Sequence, residues 1–134
     1  MSPKNIIETL IQQHRELKSS LEQAQKTNHK EDAEQIISNL NDFKNLLIKH
    51  LDIEDNTFYP EIIQKMEEKK MDIEQTKTFI AEMKDIAKTV MEFLEKYSET
   101  SKIQEDENFP EELETIYRTY LIRMTSEEDG VYLY

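Results

Sequence analysis

Apolar residues recur along this chain at intervals of three and four, the spacing that gathers them on one face of an α-helix. Ile6, Ile7, Leu10, Ile11, Leu17 and Leu21 form the first stripe, and His14 lies within it. Ser2-Pro3 supplies an N-cap residue followed by a proline for the first turn. The pattern runs to about Gln25, where Lys26-Thr27-Asn28-His29 breaks it and His29 reads as a solvent-facing residue. A second stripe starts near Glu31 or Asp32 and carries Ile36, Leu40, Phe43, Leu47, His50, Leu51 and Glu54. It continues through Phe58-Tyr59-Pro60 to Ile63 and Met66; Pro60 has no amide hydrogen, so a kink or short interruption is expected there. The charged run Glu67-Glu68-Lys69-Lys70 predicts a turn.

A third helix, with Ile73, Ile80, Met83, Ala87, Val90 and Leu94 among its apolar positions, fades at about Ser98. Glu99 to Phe109 reads as a mostly polar loop, with Glu105, Asp106 and Glu107 a solvated run. A fourth helix opens at Pro110 with Glu111 and Glu112, acids that suit the positive end of a helix dipole. It shows Leu113, Ile116, Tyr120, Leu121 and Met124, and Gly130 predicts fraying at its end. Four helices with short connections predict an all-α fold, one domain over residues 1–134, packed as an up-down-up-down antiparallel four-helix bundle.

Composition narrows the chemistry. One glycine and three prolines leave little material for hairpin turns or phosphate-cradling loops. Cysteine is absent, which excludes disulfide scaffolds, thiolate metal sites and cysteine catalysis, and is compatible with a cytoplasmic setting. The balance of 17 basic against 29 acidic residues, −12 in all, repels phosphate backbones and anionic lipids, so neither nucleic acid nor a membrane is an expected partner. No apolar run approaches the ~20 residues that span a bilayer.

Candidate chemistry comes from an internal repeat. His50-Leu51-Asp52-Ile53-Glu54-Asp55-Asn56-Thr57-Phe58-Tyr59 aligns without a gap on Arg123-Met124-Thr125-Ser126-Glu127-Glu128-Asp129-Gly130-Val131-Tyr132. Each block has a polar head, an acid four residues on, a second acid beside it and a tyrosine nine steps from the head. Positions i and i+4 share a helix face, so His50/Glu54 and Arg123/Glu127 each form a side-by-side pair. The second and fourth helices run parallel in the expected topology, which allows both pairs to lie at similar depth. With His14 they make a set of imidazoles and carboxylates suited to iron, manganese or zinc. Tyr59, Tyr117, Tyr120 and Tyr132 read as bundle packing with solvated hydroxyls.

On these residues the chain resembles the hemerythrin-like (HHE cation-binding) domains, four-helix bundles that bind two irons and, in various members, carry or sense oxygen or serve iron and stress responses. The resemblance rests on His14, on His50 to Glu54 running into Phe58-Tyr59-Pro60, and on Glu127-Glu128 with Tyr132. It implies that His14, His50, Glu54 and Glu127 are the ligands of one metal. Two departures concern the other metal: Thr76 or Gln75 stands where the third helix supplies histidine, and Arg123 heads the fourth-helix block. Arg cannot ligate a metal because its guanidinium stays protonated.

Two arrangements follow. Either one cation, iron or another divalent metal, is held while Arg123 substitutes for the charge of the second, or no metal binds and Arg123 pairs with Glu54 and Glu127 in a buried salt bridge. The function expected is non-enzymatic: a sensing or protein-binding regulator with an eroded diiron centre. The chain is also similar in size and architecture to anti-sigma bundles, with Arg123 to Glu128 resembling one of their segments, which makes a partner-sequestering regulator one alternative and a working iron- or oxygen-binding protein another.

Overall fold

The computed structural model describes residues 3–26 and 32–133, with side chains from Ile6 onward. The Ser2 N-cap, the Thr27–His29 part of the first break, His29 itself and a start at Glu31 lie outside the described residues. Helix α1 spans Pro3–Lys26 and α2 spans Ala33–Ile53. A π-helical segment, Glu54–Phe58, joins α2 to α3 (Tyr59–Glu68) without a break. Helices α4 (Glu74–Lys96), α5 (Thr100–Glu105) and α6 (Phe109–Asp129) follow, and a 3₁₀ turn, Val131–Leu133, closes the described chain.

The core falls into two clusters, and the order in which the helices enter them fixes the topology. Ile6 and Leu10 of α1 lie in one cluster and Leu17 to Ala24 in the other. The next long helix runs the opposite way: Ala33 to Leu47 join the second cluster, and Phe58 to Met66 the first. Helix α4 again starts at the first, with Ile80, and ends at the second, with Val90 to Tyr97. Helix α6 returns from Phe109 and Leu113 to Val131 and Tyr132 beyond its end. This is the up-down-up-down bundle that the hydrophobic pattern predicts, and its middle, between the clusters, is where the polar residues collect.

Local chemistry sets the ends. After α3, Lys70 adopts a left-handed conformation (φ 57°) while the Met71 N–H reaches back to the Met66 carbonyl at 2.9 Å, a six-residue closure of the helix end. The turn expected at Glu67 to Lys70 is therefore present, and Asp72 Oδ1 accepts the Glu74 N–H at the start of α4.

Three local expectations change. The interruption sits one turn before Pro60 instead of at it. The Tyr59 N–H bonds the Glu54 carbonyl five residues back, so the helix widens by one residue and continues through the proline. The segment after Ser98 is not only a loop: α5 forms because Ile103 is fully buried, and the Tyr97 hydroxyl is held by Asp106 at 2.7 Å and by Glu112. Gly130 does not mark a frayed end. A Cβ there would lie 2.7 Å from the Ser126 carbonyl oxygen, and the glycine lets the chain turn so that Val131 and Tyr132 become buried.

Among the described residues no helix is long and apolar enough to cross a membrane.

Candidate metal centre

The bundle's middle holds His14 from α1, His50 from the last turn of α2, Glu54 from the π segment, and Arg123 with Glu127 from α6. His50, Glu54, Arg123 and Glu127 are completely buried, and His14 is 3% exposed. One ligand atom from each of His14, His50, Glu54 and Glu127 lies within 4.8 Å of all the others, which makes the group a candidate for holding a metal ion. The π segment helps to aim it: the widened turn leaves both Phe58 and Tyr59 facing inward beside His50 and Glu54.

The two imidazoles meet through their Nε2 atoms at 3.1 Å. His14 Nε2 is 3.3 Å from Glu127 Oε1 and 4.0 Å from Glu54 Oε1, and His50 Nε2 touches Glu54 Oε1 directly. The other ring nitrogens have their own partners. His50 Nδ1 lies 2.8 Å from Gln13 Oε1, and His14 Nδ1 lies 3.4 Å from Glu128 Oε2. Protons at both Nδ1 positions, facing oxygens, would leave both Nε2 lone pairs directed at the centre. Burial, then the neighbouring His14, hold the His50 pKa at about 3 instead of 6.5, so at neutral pH its ring carries no charge. Burial and the adjoining Glu54 push the Glu127 carboxyl up. Two imidazoles and two carboxylates thus converge on one point, a donor set that could hold a metal ion.

Arg123 lies on the same cluster from the far side. Its Nη1 donates to the Met83 carbonyl at 2.7 Å, its Nε to Glu127 Oε1 at 3.4 Å, and its Nη2 stands 3.5 Å from Glu54 Oε2. Burial opposes its charge, but Glu127, Tyr120 and Glu54 more than offset that and raise its pKa. The repeat therefore brings its two i,i+4 pairs face to face at one depth. Of the two third-helix positions singled out in the sequence, Thr76 is buried and Gln75 exposed.

The tyrosines differ from expectation. Tyr59 and Tyr132 have no solvated hydroxyl: Tyr59 donates to Glu127 Oε2 at 2.5 Å, and Tyr132 lies 3.1 Å from Glu54 Oε1 and 3.2 Å from His14 Nε2. Burial and the nearby acids push both phenol pKa values up, so they stay protonated donors in the cation-free protein. Gln13 and Glu128 join the site as the partners of the two histidine Nδ1 atoms. Glu128 is foreshadowed by the second acid of its repeat block; Gln13, beside His14 in sequence, carries no such signal.

A helical bundle whose middle brings two histidines and two glutamates together carries the donor set of a candidate cation site. The chain belongs to the hemerythrin HHE cation binding domain family, whose model matches residues 5–133. No curated protein and no solved structure is significantly similar to it.

Proposed function

We propose that the chain is a non-enzymatic member of the family that binds one metal ion through His14, His50, Glu54 and Glu127, with Arg123 replacing the charge of a second. The observation that carries this reading is the convergence, in a buried site, of one ligand atom from each of His14, His50, Glu54 and Glu127, all within 4.8 Å of one another. A second ion is disfavoured because the groups beside the outer carboxylate oxygens are a guanidinium and a phenol, not imidazoles. Bound iron would supply a redox-active centre, and zinc or manganese a structural one.

The chain's own residues suggest sensing. The ligands come from α1, from the α2–π junction and from α6, so occupancy ties three helices together and is coupled to the stability of the bundle. An acidic surface suits a regulatory protein partner with a basic face. The test combines metal analysis after dialysis against ferrous, manganese or zinc ions with ¹⁵N NMR of the histidines in chelator-treated protein. One ion per chain and Nδ1–H tautomers at both rings are expected; no bound ion, or an Nε2–H on His50, would refute the proposal.

A further inference from the structure

Resting on the one-metal reading, we infer that the Tyr132 hydroxyl oxygen is a fifth ligand of the ion, not a neighbour of its ligands. Donor atoms held at about 2.1 Å from one metal are separated by about 3.0 Å across adjacent octahedral vertices and about 3.4 Å along a tetrahedral edge. His14 Nε2 keeps such distances to His50 Nε2 (3.1 Å) and to Glu127 Oε1 (3.3 Å). Tyr132 Oη keeps them to the same atoms that define the centre, 3.2 Å to His14 Nε2 and 3.1 Å to Glu54 Oε1. Tyr59 does not: its hydroxyl engages Glu127 Oε2, whereas Oε1 is the oxygen that approaches His14. The two tyrosines close equivalent repeat blocks, but it is Tyr132 whose hydroxyl bonds atoms of the converging set, His14 Nε2 and Glu54 Oε1.

The surroundings hold the ring in that place. Tyr132 stacks on His14 with centroids 5.4 Å apart at 22° and meets Phe58 edge-on at 5.2 Å. It reaches the site because Gly130 ends α6 and redirects the chain. On ligation the Oη–H bond breaks, the proton leaves to solvent and an oxygen electron pair forms the bond to the metal, as for other protonated ligands. An oxygen anion of this kind favours ferric iron over softer ions.

The experiment loads chelator-treated protein with ferric citrate and records bound iron, the visible spectrum and resonance Raman scattering for the wild type, Tyr132→Phe and Tyr59→Phe. Phenylalanine at 132 preserves the stacking on His14 and Phe58. The expected result is one iron per chain with a phenolate-to-iron charge-transfer band and phenolate ring modes, all lost in Tyr132→Phe with iron retained and all kept in Tyr59→Phe. One iron without such a band, or a band that survives Tyr132→Phe, overturns the Tyr132 ligand and leaves the metal site standing. If wild-type protein takes up no iron, and dialysis with manganese and zinc also fails, both proposals fall.

Discussion

Replacing Arg123 with alanine is expected to destabilise the cation-free protein by about 3–5 kcal/mol. The guanidinium is completely buried and answers three groups at once: the Met83 carbonyl, Glu127 and Glu54. Loss of the 2.7 Å bond strands a buried carbonyl, worth about 1–3 kcal/mol. Loss of the charge leaves two acids in a low-dielectric interior with no cation, and truncation of a long side chain adds a cavity. One response works against these losses. The Glu127 carboxyl is already pushed up and takes a proton readily, which keeps the total near the lower end of the range. Urea unfolding in the presence of a chelator measures the effect. The midpoint should fall with little change in slope, and the melting temperature by roughly 10–15 °C for a domain of this size. Arg123→Met combined with Glu54→Gln should recover part of the loss, because it removes one stranded charge with its partner. A loss below about 1 kcal/mol for Arg123→Ala would refute the buried-cluster reasoning.

Further outcomes follow from the same geometry. Since folded His50 stays neutral down to about pH 3 while the unfolded ring protonates near 6.5, its contribution is complete above 6.5 and is lost as pH falls from there toward 3. The His50 ring proton in cation-free protein should accordingly show no NMR titration between pH 8 and 5, and a midpoint near 6.5 would contradict the burial argument. Tyr59→Phe leaves Glu127 Oε2 without its donor and should lower stability by about 1–3 kcal/mol in chelator-treated protein; an unchanged urea midpoint would show the bond to be dispensable. Gly130→Ala forces a Cβ toward the Ser126 carbonyl and should displace the turn that carries Tyr132, weakening the ferric band more than it weakens iron uptake. Lys70→Gly should stabilise by up to about 1 kcal/mol, because it relieves a left-handed side-chain-bearing residue, and thermal melts would detect it.

Much of the fold is written in the period of the apolar residues, because a bundle is little more than four stripes turned inward. The stripe through Leu40, Phe43, Leu47, His50 and Glu54 already places two polar residues on a buried face, and the gapless repeat gives them partners in Arg123 and Glu127. Other features escape a one-dimensional pattern. A lone Ile103 among polar neighbours gives no period, so α5 depends on a tertiary contact for its existence. The π segment is a choice of hydrogen-bond partner five residues back, invisible in residue spacing, although Pro60 marks its neighbourhood. The roles of Tyr59 and Tyr132 depend on the depth their hydroxyls reach, which only the packing of Phe58, His14 and the turn at Gly130 determines.

The most direct test of a single cation with a guanidinium beside it is a crystal structure of iron-loaded protein with diffraction recorded at the iron absorption edge. One anomalous peak per chain is predicted, within about 2.0–2.3 Å of His14 Nε2 and His50 Nε2 and of oxygens from Glu54 and Glu127, with Arg123 still against both carboxylates. Two peaks, or Arg123 swung away from the acids to admit a second ion, would contradict it.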